Sequence, residues 1–120
     1  MKDIRFKLKK VFTFYTSFGD RFNSSMLKSN KFHKMMNDAG IKDSYLTKKR
    51  LDLLFVKANK HRCNMNFETF LNLIPDIALE KFQDLDHDQA SMRLLEEHLV
   101  PLFESIYNET EVGYDDMLFR

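Results

Sequence analysis

Residues 63–70, Cys-Asn-Met-Asn-Phe-Glu-Thr-Phe, put one apolar residue in an extended setting just before a helix that opens on Phe-x-x-Phe. This is the rhythm of the second half of a calcium-binding helix–loop–helix. Such a loop supplies oxygen at positions 1, 3, 5, 7, 9 and 12 and needs glycine at 6. With Met65 at position 8, positions 1, 3, 5 and 12 become Ala58, Lys60, Arg62 and Thr69, and Cys63 replaces the glycine. The upstream loop, registered on Met26, offers Gly19, Arg21, Asn23 and Asn30. Neither loop brings a carboxylate to a hard dication, so no calcium site is expected. Asp84-x-Asp86-x-Asp88 has the spacing of a loop start, but Gln89 stands where glycine belongs and Leu95 falls at position 12. An acidic lead-in to a helix, favoured by the helix dipole, is the better reading.

Other chemistry is thin. Cys63 beside His61 could be an activated thiol, but a loop cysteine without a third partner is usually inert. His33, His61, His87 and His98 lack the spacing of a zinc site, and no glycine-rich phosphate loop is present. No enzyme activity and no cofactor is expected. The single cysteine excludes an internal disulfide and fits a reducing compartment. The first twelve residues hold no uninterrupted apolar run, and no stretch approaches a membrane span. A location in the cytoplasm or cytoskeleton, away from membranes, is expected.

The elements that must carry these loops are helical. Ile4, Leu8, Val11, Phe12, Tyr15 and Phe18 recur at helical spacing over residues 2–18, with Phe6 and Phe14 widening the stripe. A second helix is expected over 30–39, a third over 48–58 with Thr47 as N-cap, and a fourth over 67–82, kinked or split at Pro75. In the third, Leu51, Leu54 and Phe55 face inward and Leu53 broadens the stripe. A fifth, over about 89–108, carries Met92, Leu95, Leu99, Leu102, Phe103 and Ile106. Pro101 is expected to bend it. Met26 and Met65 are expected to pair in a tiny ladder between the loops. The fold class is all-α: an EF-hand-like pair of helix–loop–helix units without calcium ligands over 1–83, then an acidic linker and an additional C-terminal amphipathic helix over 84–110, and a tail over 111–120. The fifth helix is expected either to fill the groove of the pair or to dock on a neighbouring protein.

Charge is segregated along the chain. Residues 1–62 hold 16 basic and 5 acidic residues, a net +11; residues 63–120 hold 3 and 13, a net −10. Either the halves neutralise each other across the fold, or the first presents a basic face to an acidic partner. The candidate contacts are Lys2, Arg5, Lys7, Lys9 and Lys10, then Lys48, Lys49 and Arg50, then Lys57, Lys60 and Arg62. Nucleic acid is not the expected partner. There is no DNA- or RNA-binding motif, no Trp, and no basic run interleaved with exposed aromatics.

Residues 51–82, Leu-Asp-Leu-Leu-Phe-Val-Lys through Ile-Ala-Leu-Glu-Lys-Phe, resemble the central signature of the tubulin polymerization-promoting protein family. Asp52, Phe55, Lys57, Cys63, Phe67, Glu68, Phe70, Ile77, Ala78, Lys81 and Phe82 carry the resemblance; residues 14–20 and 31–41 fit it more loosely. It covers roughly residues 10–83. It implies an EF-hand-like fold without calcium ligands, tubulin and microtubule binding, and promotion of polymerisation and bundling. Family members usually continue into a long Gly/Thr/Lys-rich segment, whereas residues 84–120 read as an acidic linker, a helix and a tail. The expectation is therefore a compact, non-enzymatic microtubule-associated module, a structural component of a stable array such as a ciliary axoneme. Other microtubule-associated proteins would engage the C-terminal helix and tail, with Tyr114, Met117, Leu118 and Phe119 as anchors. The alternative is a helical interaction adaptor with no direct tubulin contact.

Overall fold

The computed structural model describes residues 2–20, 22, 25–60 and 64–107. Among the described residues the fold is all-α apart from one ladder of two residues per strand. Helix α1 spans Lys2–Ser17 and α2 spans Ser29–Asp38, preceded by strand β1, Leu27–Lys28. Helix α3 spans Lys48–Ala58, β2 is Asn64–Met65, and α4 spans Phe67–Lys81. Helix α5 is α-helical over His87–Leu94, makes a π turn over Leu95–Leu99, and is helical again over 100–107.

Local chemistry sets the helix ends. Thr47 caps α3 as expected, its hydroxyl accepting from Arg50 N–H. Asn66 caps α4 through Thr69 N–H at 2.9 Å, a contribution of about 1 kcal/mol. Asp86 caps α5 through Gln89 N–H at 2.9 Å, with Asp88 in the first turn, which is the acidic lead-in read from Asp84-x-Asp86-x-Asp88. Helix α2 closes on Gly40 at φ 71°, where a β-carbon would be strained. Ile41 N–H reaches Met36 O and Gly40 N–H reaches Asn37 O, and the side chains of Ile41 and Met36 are both buried. This is a Schellman closure with its hydrophobic contact.

Strands β1 and β2 pair antiparallel, Leu27 with Met65 and Lys28 with Asn64. Met65 holds its expected place, but its partner is Leu27 and not Met26. Met26 and Leu27 are adjacent apolar residues, so composition could not choose between registers, and a slip of one residue turns the side chain to the other face. Leu27 is fully buried. Registered on Leu27, the first loop puts Asp20 at position 1, Phe22 at 3, Ser24 at 5 and Lys31 at 12.

One core runs through all five helices. Phe12 meets Phe67 and Phe70 at 5.3 and 5.5 Å between ring centres, and Phe32 meets Phe55 at 5.0 Å. Leu8, Val11, Phe12 and Tyr15 of α1 are buried, but Phe6 and Phe18 stand 56% and 44% exposed. Phe6 lies roughly 200° around the helix from Leu8, opposite the core stripe. Leu53, expected to broaden the α3 stripe, is exposed as well. Ile41 and Leu46, in the connector between α2 and α3, are fully buried.

Pro75 does not split α4, which is continuous from Phe67 to Lys81. Helix α5 packs on α4 and buries Ala90, Leu94, Leu99 and Leu102 in the common core of its own chain. Met92, expected inward, is half exposed. The cause is the π turn, in which Val100 N–H reaches Leu95 O. Pro101 has no N–H, and its ring crowds the carbonyl four residues back, so the ladder relaxes to a wider turn there. The extra residue in that turn shifts the buried face from 95 to 94.

Candidate functional site

The charged residues of segment 51–82 tie helices together. Asp52 Oδ1 lies 3.1 Å from His33 Nε2, linking α3 to α2. Glu68 accepts from Arg5 Nη2 at 2.7 Å, linking α4 to α1. Lys81, only 10% exposed, donates to Ile41 O at 2.9 Å and Asp43 Oδ2 at 2.8 Å, pinning the connector to the end of α4. Asp43 also accepts from Leu46 and Tyr45 N–H.

Those donors, the Lys81 ammonium first, hold the Asp43 carboxyl down at about 2 from an ordinary 3.8. A folded pKa below the unfolded one adds stability that is complete above about pH 4 and is lost as pH falls through about 2. Asp43 is nearly half exposed, so screening reduces its contribution at neutral pH to about 1 kcal/mol. Acid titration of stability between pH 4 and 2 is expected to be shallower in Asp43→Asn than in the unaltered chain.

The candidate basic residues fall into separate depressions. On α1, Arg5 and Lys9 line a cavity of about 630 Å³ with Phe6, Phe67 and Glu68. Lys9 Nζ stands 4.7 Å from the centre of the Phe67 ring, Lys10 Nζ 5.4 Å from that of Phe6, and Lys7 Nζ 5.6 Å from that of Phe103. Arg5 is spent on Glu68. Lys48 and Lys49, exposed at the first turn of α3, share a second depression with Ser29, Asn30, His33 and Asp52. Neither is ion-paired among the described residues. Arg50, beside them, is held by Glu80, with Nε at 3.1 Å, and that hydrogen bond raises its pKa further. Lys57 lies near Asp76 and Glu80, and Lys60, at φ 51°, edges the second loop. Arg62, His61, Cys63 and the side chain of Lys2 lie outside the described residues, as do Tyr114, Met117, Leu118 and Phe119.

Phe6 corrects the sequence reading in another respect. It is an exposed aromatic within the basic run Arg5, Lys7, Lys9, Lys10, which the sequence does not show because Phe6 reads as part of the buried stripe. Lys31 was also missed. At position 12 of the first loop, where a bidentate carboxylate would grip a metal, its ammonium donates to Phe18 O and lies over the Phe18 ring. Among the described residues no group of three or more His, Cys, Asp or Glu converges on a common point. Calorimetric titration with calcium is expected to give no binding heat, and a micromolar site would contradict this reading of the loops.

No helix of the described residues is long and apolar enough to cross a membrane. A protein-family model described as p25-alpha matches residues 9–118. The match takes in α5, beyond the 10–83 span of the resemblance. No curated protein matches the chain.

Proposed function

The chain belongs to the p25-alpha family, that of the tubulin polymerization-promoting proteins, and from that premise we propose that it is a non-enzymatic protein that binds tubulin and microtubules. The observation that supports this reading is the pair Lys48 and Lys49. They stand together and exposed, without an ion-pair partner among the described residues, while the neighbouring Arg50 is neutralised. Tubulin surfaces are acidic, and an unneutralised lysine pair attracts them over a Debye length of about 8 Å at physiological salt. The two helix–loop–helix units joined by the Leu27–Met65 ladder support the reading of the scaffold as an EF-hand-like pair whose metal role is lost.

Co-sedimentation with taxol-stabilised microtubules across a salt series tests the function. Pelleting at low salt that declines as salt rises is the expected result. No pelleting at the lowest salt favours a helical adaptor without direct tubulin contact. The finer reading is a cytoskeletal location and a fixed place in a stable array such as a ciliary axoneme, which immunolocalisation in a ciliated cell would test.

A further inference from the structure

The groove between α1 and the start of α4 suits a ligand that is both acidic and apolar. Phe6, 56% exposed, and Phe67, buried, both line it. Arg5 is neutralised by Glu68, but Lys9 and Lys10 have no ion-pair partner among the described residues and hold their ammonium groups close to the rings of Phe67 and Phe6. An occupant must bring carboxylates for the lysines and an apolar side chain for Phe6.

We propose that this groove is the seat of residues 108–120 of the same chain. Charge is the first reason. The segment holds Glu109, Glu111, Asp115 and Asp116 against Arg120 alone, a net −3, interleaved with Val112, Tyr114, Met117, Leu118 and Phe119. The second reason is where α5 delivers it. Phe103 lies 5.6 Å from Lys7 Nζ of α1, and Tyr107 stacks on Phe103 at 5.7 Å between ring centres, so the last turns of α5 stand beside α1. The third is reach. Thirteen residues span up to about 43 Å when extended, ample to run along α1 to Phe6 and Lys10. A tail seated there covers Phe6 and competes with any acidic partner for Lys9 and Lys10. It is an autoinhibitory contact on α1 that leaves Lys48 and Lys49 open. The inference stands apart from microtubule binding and holds whatever that partner is.

Paramagnetic relaxation in the full chain tests it. A nitroxide is placed at residue 120 through Arg120→Cys in a Cys63→Ser background. The backbone amide signals of Arg5, Phe6, Lys9 and Phe67 are expected to lose most of their intensity while those of Lys48 and Lys49 keep theirs. In Lys9→Glu/Lys10→Glu, both exposed positions, the selective loss is expected to vanish. Uniform or absent broadening, or loss that persists in the double variant, would overturn the proposal. So would equal broadening in an isotope-labelled chain without nitroxide mixed with nitroxide-bearing chains, since the occupant would then be the tail of a second copy.

Discussion

Leu94→Ala is expected to lower the unfolding free energy by about 2–5 kcal/mol, whereas Met92→Ala changes it by less than about 0.5 kcal/mol. Urea unfolding midpoints at constant slope would show it. Leu94 is fully buried against the common core, so its truncation removes transfer free energy and leaves a cavity. Met92 is half exposed and lines the outer surface of α5 with Arg93, Glu96 and Glu97. A uniform α-helix would reverse the ranking, because the sequence stripe runs 92, 95, 99, 102. The π turn at Leu95–Leu99 puts Ala90 and Leu94 on the face shared with Leu99 and Leu102. Equal costs for the two substitutions would mean that α5 has no fixed face on α4.

Helix α5 shows why some of the fold is legible in the sequence and some is not. Its existence follows from a periodic apolar pattern bounded by an acidic cap; its packing on its own chain does not, because the same stripe would fit a neighbouring protein. Its face does not, because a single π turn shifts the register by one residue and periodicity arguments assume a constant period. The same holds for β1. That an apolar residue pairs with Met65 is legible, but choosing Leu27 over Met26 needs knowledge of which side chain the core accepts. Thr47 is read correctly because its role is local, resting on one side-chain cap. Ile41 and Leu46 escape notice because a short connector has no period to betray burial, and what holds it is a distant lysine, Lys81.

The candidate site divides along the same line. Which cations are numerous is plain from sequence; which of them are neutralised depends on contacts between residues far apart in the chain. Arg5 meets Glu68 and Arg50 meets Glu80 across 63 and 30 residues. Lys48 and Lys49 are therefore singled out from Arg50, although the three are consecutive.

Reversing that pair gives the second large effect. Lys48→Glu/Lys49→Glu is expected to weaken microtubule binding by about 2–3 kcal/mol, or about 30- to 150-fold in Kd, since each reversal removes an attraction and adds a repulsion of up to about 1 kcal/mol. The fold should be untouched, because both side chains are exposed and neither makes an ion pair among the described residues. Arg50→Glu is a poorer probe. It would face Glu80 and disturb the link between α3 and α4, mixing stability with binding.

The claim that an unneutralised lysine pair on a calcium-free helical domain meets an acidic polymer is tested most directly by pelleting the Lys48→Glu/Lys49→Glu chain beside the unaltered one at a single low salt concentration. The expected result is a microtubule-bound fraction for the unaltered chain and little or none for the reversed one, with identical far-ultraviolet circular dichroism. Equal pelleting of the two would contradict it.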